Sequence, residues 1–283
     1  MQSIEFMSGD NETVRGVWFE PSGNRKSPAI VFAHGLASTY AEFGDYPQKF
    51  SARGYTVLAI DFRGHGSSDG MRGLISETRW VEDLRHAVDF VSAQKNVDAQ
   101  RIALFGHSLG GGAVICAAAR DARVRAVVAG ATVGRIRDEL GGGEYLTYRV
   151  VDAVNRLQKI VTRKSLYIPY RVTYKDIFFD DQARARAEKQ GFLQRQIPID
   201  NVPLLLKQDA LSGAQNLRVP ALIIQSEKDA VVKATSTRKV FDAIPSDKEY
   251  YLIQGSGHSF ATDCKSAEVF EKIAAWLDAK IKV

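Results

Sequence analysis

The segment Arg101-Ile-Ala-Leu-Phe-Gly-His-Ser-Leu-Gly-Gly-Gly-Ala-Val-Ile-Cys-Ala-Ala-Ala-Arg120 predicts a strand, a sharp turn and a helix in direct succession. Ile102 to Phe105 is a short apolar run that suits a strand buried on both faces. Gly112 to Arg120 is rich in alanine and has no helix breaker after its glycines. Between them lies Gly106-His-Ser-Leu-Gly110, and a serine at the tip of such a turn is held in a strained backbone conformation. The sequence therefore predicts a Ser108 hydroxyl that projects into open space at a helix N-terminus.

A second Gly-x-Ser-x-Gly match lies at Gly66 to Gly70, so the pattern alone does not identify the serine. The residues after this second match, Met71-Arg72-Gly73-Leu74, are not typical of a helix start. Ser68 is therefore interpreted as a loop residue and Ser108 as the nucleophile. The alternative is that the glycines around Ser108 only build a tight turn and that its hydroxyl is inert.

With this strand, turn and helix, the chain resembles the serine hydrolases of the α/β-hydrolase family over nearly its whole length. The resemblance implies a mostly parallel sheet with helices on both faces, and the alternation of apolar residues in 2 to 20 predicts an antiparallel hairpin at a sheet edge. It also implies a catalytic triad in the chain order nucleophile, acid, histidine, with each member at the end of a strand.

The acid and the histidine of this triad are expected at Asp229 and His258. Val219 to Gln225 predicts a buried strand, and Asp229 lies just after it in the position of the family's acid, with Glu227 as the nearest alternative. His258 lies in a Gly-rich loop after the last predicted strand, where the family carries its histidine.

The oxyanion hole is expected from two backbone N–H groups. Ala29 to Ala33 is a continuous apolar run, typical of a central strand, and His34-Gly35-Leu36 follows it. In the family that the chain resembles, the loop after this strand supplies one donor, which falls on Leu36. The second donor is the N–H of Leu109, the residue after the nucleophile. The side chains of these two leucines are expected to affect chiefly the shape of the pocket.

Other polar residues near predicted strand ends are interpreted as structural. Asp61 and His65 lie in a Gly-rich turn that needs such side chains for local hydrogen bonds. His34 belongs to the oxyanion loop, and His107 is the variable residue of the nucleophile turn. Tyr40 to Arg53 is predicted as one helix that Gly54 ends.

The alternation of strands and helices stops between residues 132 and 216. This stretch resembles the cap of capped α/β hydrolases, and we expect a mostly helical insertion over the strand ends, because a structureless loop of this length is improbable. The core domain would then comprise residues 1–131 and 217–283. Most aromatic residues of the insertion are expected to pack among themselves, and some to line the cleft above Ser108.

Length and composition bound the alternatives. The chain has 283 residues, 45% of them hydrophobic and 25% charged, as expected for one large globular domain. Its net charge is +5, but no dense run of Lys and Arg interleaved with aromatic residues indicates a nucleic-acid partner. No stretch predicts a membrane span or a signal peptide, so we expect a cytoplasmic protein, monomeric or homodimeric.

No cofactor or metal is expected. Cys116 and Cys264 are the only cysteines in the sequence and give neither metal-ligand spacing nor a disulfide framework. The sequence also lacks a dinucleotide-binding glycine pattern.

The predicted function is hydrolysis of small to medium carboxylic esters, aromatic ones included, through an acyl-enzyme. A serine aminopeptidase, a lysophospholipase-like lipase or an acyltransferase would use the same triad. The non-enzymatic alternative is a hydrolase-fold protein that binds a ligand without turnover.

Overall fold

A large sheet with helices on both faces organises the computed structural model, which describes residues 1–23 and 25–282. The strands are β1 Gln2–Met7, β2 Thr13–Phe19, β3 Ser27–Ala33, β4 Thr56–Asp61, β5 Val97–His107, β6 Val124–Gly130, β7 Tyr167–Pro169, β8 Gln196–Pro198, β9 Ala221–Ser226 and β10 Lys248–Ile253. The helices are α1 Tyr46–Ala52, α2 Glu77–Ser92, α3 Leu109–Ala118, α4 Gly142–Thr162, α5 Tyr174–Ile177, α6 Asp181–Gln190, α7 Asn201–Leu205, α8 Ala210–Asn216, α9 Ala234–Ala243 and α10 Ser266–Leu277.

Within the described residues the large sheet has eight strands in the order β1-β2-β4-β3-β5-β6-β9-β10. β1 and β2 form an antiparallel hairpin, and β2 also pairs antiparallel with β4. Every other neighbouring pair in this sheet runs parallel. The predicted fold class is confirmed, including the antiparallel hairpin at the N-terminal edge.

Two hydrophobic layers cover the faces of the sheet, which explains why the central strands are continuous apolar runs. In β3, Val31 packs in the layer that contains α2 and α3, while its neighbours Ile30 and Phe32 pack in the layer that contains α1 and α10. Successive side chains of a strand point to opposite faces, so a strand buried on both faces needs an apolar residue at every position.

The prediction of one helix over Tyr40–Arg53 is wrong. A short 3₁₀ turn at Tyr40–Phe43 precedes α1, and Gly44 separates the two with φ of +56°. This left-handed conformation interrupts the helical path and is favourable only for glycine. The break brings Glu42 to a buried position below the strand ends.

The segment between β6 and β9 is mostly helical and also contains the small antiparallel pair β7 and β8. Its last helix, α8, packs tightly on α3: a Cβ atom added to Gly213 would lie 2.6 Å from the Cys116 sulfur. Ala214 belongs to the same hydrophobic layer as α3. The division at residues 132 and 216 stays a prediction, and we propose that the covering part of the segment ends before α8.

Candidate active site

The turn between β5 and α3 holds Ser108 in a strained conformation, with φ of 55° and ψ of −122°. Its two flanking glycines are required by close packing. A Cβ atom on Gly106 would lie 2.3 Å from the Gly110 carbonyl oxygen, and one on Gly110 would lie 2.3 Å from the His34 carbonyl oxygen. Any larger residue would push the turn open. The Ser108 N–H donates to the carbonyl of Gly130 at 2.8 Å, which ties the turn to the neighbouring strand.

His258 is held by Asp229. The Nδ1 atom of His258 donates to Asp229 Oδ2 at 2.8 Å, and the Asp229 side chain is fully buried. The second oxygen, Oδ1, accepts the N–H groups of Val231 and Val232, both at 2.8 Å. With its proton on Nδ1, the neutral His258 ring leaves Nε2 free to accept a proton.

The surroundings of Asp229 keep its carboxylate ionised. Burial by itself raises the pKa of Asp229, but the attraction and hydrogen bond of His258 and the two backbone N–H donors outweigh it, so the pKa lies below its ordinary value. The rival acid Glu227 is exposed, accepts the N–H of Gly255 and pairs with Lys228. The structure thus places Asp229, and not Glu227, against His258.

Ser108 and His258 line one cavity of about 130 Å³, together with Leu36 and Leu109. Leu109 is the first residue of α3, so its N–H has no acceptor within the helix. Among the residues that the structure describes, neither the Leu36 N–H nor the Leu109 N–H has a protein acceptor. Two unpaired backbone donors therefore lie in the wall that also carries Ser108.

The remaining wall of the cavity is mostly apolar. Part of it comes from the segment between β6 and β9, through Val133, Ile136, Tyr170, Val172, Ile177 and Phe192. Burial, with Glu42 nearby, raises the pKa of Tyr170, so this phenol is neutral over the ordinary pH range. Tyr145 and Phe179 lie outside this cavity and are exposed.

Residues in and near the second Gly-x-Ser-x-Gly match make hydrogen bonds that stabilise the local turn. Ser68 is buried, accepts the N–H of Arg15 at 2.8 Å and donates to the Asp61 carbonyl. Asp61 accepts the N–H groups of Tyr40 and Ser67 at 2.9 and 3.0 Å. His34 Nε2 likewise accepts a backbone N–H, that of Phe62. These contacts agree with the structural roles expected for Ser68, Asp61 and His34.

A buried Glu42–His107 pair lines part of the same cavity, and the sequence did not predict it. His107 Nδ1 donates to Glu42 Oε1 at 3.2 Å, and its Nε2 donates to the carbonyl of His258 at 3.0 Å. Glu42 Oε1 also accepts the N–H of Gly35, in the loop of Leu36, at 2.8 Å. The pair therefore joins the loop of one candidate oxyanion donor to the loop that presents His258.

Both ring nitrogens of His107 face acceptors, which favours the doubly protonated ring. Burial by itself lowers the pKa of His107 and raises that of Glu42, but their mutual attraction reverses both directions. The sequence offered little signal for the pair, because Glu42 falls in a stretch predicted as a helix, and a glutamate side chain is rarely fully buried.

In the part of the chain that the structure describes, no three His, Cys, Asp or Glu side chains cluster as metal ligands. Over the same residues, no helix combines the length and hydropathy needed to cross a bilayer.

Comparison with known proteins identifies the family. The family model for serine aminopeptidases (S33) matches residues 24–265. The chain therefore belongs to this family of α/β hydrolases.

Particular relatives differ in their activities. A polyketide transferase from Stachybotrys chlorohalonatus is 30% identical over 95% of this chain and 93% of its own length. A monoacylglycerol lipase from Mycolicibacterium smegmatis is 25% identical over 95% of this chain and 94% of its own length. The crystal structure of the α/β hydrolase GrgF from a Penicillium species superposes with a TM-score of 0.86 at 24% identity, covering 100% of this chain and 99% of that one.

Proposed function

We propose that the protein is a serine hydrolase that cleaves carboxylic esters through an acyl-enzyme on Ser108. The observation that carries this proposal is the Asp229–His258 bond of 2.8 Å at a cavity that also contains the strained Ser108. Serine needs a base that an acid orients, and these three residues supply the nucleophile, the base and the orienting group.

In the proposed reaction, His258 Nε2 takes the proton of the Ser108 hydroxyl as its oxygen attacks the ester carbonyl. Asp229 keeps the imidazole oriented and stabilises the imidazolium that forms. The N–H groups of Leu36 and Leu109 bind the oxyanion of the tetrahedral intermediate. His258 then returns the proton to the leaving alcohol, and a water molecule, activated by the same histidine, releases the acid.

The cavity favours small to medium ester substrates. Its volume of about 130 Å³ is similar to that of a protein cavity that accepts one benzene ring, so a short acyl chain or one aromatic ring would fit. The largely apolar lining suits an uncharged acyl group. A lipase among the relatives also supports ester cleavage. We further propose that the segment between β6 and α8 is a cap, since six of its residues, from Val133 to Phe192, line the cavity.

The test uses a serine-reactive fluorophosphonate and a chromogenic butyrate ester. Ser108→Ala should abolish both labelling and turnover, and mass spectrometry should place the label on Ser108. Ser68→Ala is the control, because Ser68 has the same local sequence pattern but sits in a structural turn. It should keep kcat/KM, with a loss of about 1 kcal/mol in unfolding free energy from its hydrogen bonds. A label on Ser68, or turnover by Ser108→Ala, would contradict the assignment. No label and no turnover in the wild type would favour a ligand-binding protein.

Acyl transfer to an acceptor other than water is a second candidate, favoured by polyketide transferases among the relatives. Both reactions pass through the same acyl-enzyme and differ only in the nucleophile that attacks it. Adding small alcohols or thiols during ester turnover separates them. A hydrolase gives mainly free acid, whereas a transferase gives mainly the new ester or thioester at low acceptor concentration.

A further inference from the structure

The long helix α4 is amphipathic, and its apolar side faces solvent. Six exposed aliphatic residues repeat at helical spacing along one side of the helix. We call them the α4 stripe: Leu146, Val150, Val154, Leu157, Ile160 and Val161. Their exposed fractions run from 55% to 84%. Globular proteins normally turn such a stripe toward the core. An outward stripe on a helix about 30 Å long, from its 21 residues, therefore indicates a surface that something apolar covers.

The polar side of α4 is held against the rest of the protein, so the outward orientation is set by specific contacts. Asn155 and Asp152 are 3% and 9% exposed. Lys159 pairs with Asp200, the residue that precedes α7. Rotating the helix to bury the α4 stripe would break this ion pair and expose the two buried polar side chains.

Positive charge accompanies the stripe. Residues 142–175 contain seven Lys and Arg against two Asp and Glu, a net charge of +5, which equals the net charge of the whole chain. Arg149 and Arg156 lie on α4 itself and border the stripe on one side. The rest of the chain therefore has a net charge of zero, and the net positive charge of the protein lies within residues 142–175.

We infer that α4 docks on an anionic lipid surface, with the α4 stripe at the level of the acyl chains and its basic residues among the headgroups. A basic amphipathic helix with a broad apolar face has the composition of helices that lie in a membrane interface. The chain continues from α4 into β7, where Tyr167 and Ile168 are also exposed, and then to Tyr170 in the wall of the cavity.

Two other occupants fit less well. A second copy of the chain would bring two segments of charge +5 together, which like-charge repulsion disfavours. A protein partner usually places Trp, Tyr or Arg at the centre of its interface, whereas the α4 stripe contains only Leu, Val and Ile. Docking does not depend on ester cleavage, so it can be tested separately from the proposed function.

The experiment measures flotation of the whole chain with vesicles. One preparation contains phosphatidylcholine alone and the other equal parts of phosphatidylcholine and phosphatidylglycerol. The wild type should float with the anionic vesicles, and raising NaCl from about 50 to 500 mM should release much of it. The double variant Leu157→Glu with Val161→Glu should bind at least about tenfold more weakly, because both side chains lie in the apolar stripe.

The matched control is Met7→Glu with Leu252→Glu, which changes the same number of exposed apolar residues and the same charge outside α4. It should keep most of the binding. In a further variant, Leu157→Trp, fluorescence should shift to the blue on anionic vesicles, since the native tryptophans are already buried. Turnover of a water-soluble ester and thermal unfolding should be alike in all variants, which shows that they fold.

Any one of three results would overturn the inference. The first is that the wild type does not float with anionic vesicles. The second is that the control loses as much binding as the α4 variant, and the third is that Leu157→Trp binds without a fluorescence shift. A dimer that forms without vesicles and dissociates in the α4 variant, with no flotation, would assign the stripe to a second copy. If the wild type shows no ester turnover, the proposed function is refuted, but the inference about membrane docking is unaffected.

Discussion

The turn around Ser108 and the segment between β6 and β9 obey different constraints. In the turn, backbone atoms approach so closely that Gly106 and Gly110 have no alternative residue. In the segment, Gly142 and Gly143 have no atom within 4 Å of an added Cβ, and α4 leaves apolar side chains in solvent. The contrast indicates that the turn is specified for one geometry, whereas the start and the exposed side of α4 have room for other side chains. We therefore expect the chemical step to depend on the turn and its partners, and substrate choice on the segment.

The largest effect is expected from the acid that orients His258. Asp229→Asn should keep the fold but lower kcat by up to about ten-thousandfold. A neutral amide can favour the His258 tautomer with its proton on Nε2, which cannot take the serine proton, and it does not stabilise the positively charged imidazolium. Glu227→Gln is the matched control and should retain nearly normal kcat, since the Glu227 side chain is exposed and bonds to Lys228 and to the N–H of Gly255, away from His258. Steady-state kinetics on one ester compares them. Equal losses in both variants would remove the distinction between the two carboxylates.

The Glu42–His107 pair lines the cavity and should have the next largest effect, because it positions both the Gly35 loop and the His258 loop. Glu42→Gln should lower kcat by about a hundredfold with a smaller change in KM, because His107 loses the carboxylate that holds it and its bond to the His258 carbonyl is less fixed, while Gly35 loses a charged acceptor. If the pair had only a structural role, Glu42→Gln would lower the free energy of unfolding and leave kcat per folded molecule unchanged. Kinetics corrected for the folded fraction, measured by circular dichroism, makes this separation.

The same pair predicts a pH dependence of stability. The raised pKa of His107 contributes stability that is present below its ordinary value of 6.5 and is lost as pH rises through the folded-state pKa. The lowered pKa of Glu42 contributes stability that is present above its ordinary value of 4.5 and is lost as pH falls through the folded-state pKa. The advantage of the wild type over Glu42→Gln should thus be largest between about pH 4.5 and 6.5. Urea unfolding from pH 4 to 9 checks this, and a pH-independent difference would exclude the ionic pair.

Within the segment, Tyr170 should affect substrate choice and Tyr145 should not. Tyr170 walls the cavity with Ser108, whereas Tyr145 is exposed elsewhere. Tyr170→Ala should change the ratio of kcat/KM values between butyrate and cinnamate-type esters by about tenfold, the scale of one or two lost apolar contacts. Tyr145→Ala is the control of equal size. If both variants lose activity in the same proportion on every ester, the proposal that the segment controls substrate choice but not the chemical step fails.

The smallest effect on activity is expected where α8 meets α3. Gly213→Ala forces a Cβ atom to within 2.6 Å of the Cys116 sulfur and should lower the unfolding free energy by about 1 to 3 kcal/mol. Gly143→Ala, in the open first turn of α4, should be neutral or stabilise by up to about 1 kcal/mol. Neither should change the ranking of esters. Equal stability of the two variants would show that α8 is not packed as described.

The sequence predicted the elements whose residues have few alternatives. Continuous apolar runs located the parallel strands, and the glycines around Ser108 located the turn because an apolar strand precedes them and a helix follows them, which the second match at Gly66 to Gly70 lacks. The same patterns indicated Asp229 and His258, which the structure brings together, although their catalytic roles stay predictions. Leu36 and Leu109 likewise lie at the cavity, and their role as oxyanion donors stays a prediction.

What the sequence could not predict depends on contacts between distant segments. Glu42 lies in a short turn that Gly44 separates from α1, and it is buried against His107 of β5, which is distant in sequence. The packing of α8 on α3 is also a long-range contact that periodicity does not encode. The periodicity of α4 indicates an amphipathic helix, but it does not tell which side faces the protein.

The central claim is that the chemistry proceeds through an acyl group on Ser108, and rapid acid quenching during turnover tests it most directly. Wild-type protein mixed with excess chromogenic butyrate ester should give a burst of alcohol close to one equivalent, if release of the acid is the slower step. Mass spectrometry of the quenched wild type should then find one butyryl group on the peptide that contains Ser108, and the Ser108→Ala variant should carry none. Steady turnover with no acylated peptide, or with the butyryl group on another residue, would contradict the account.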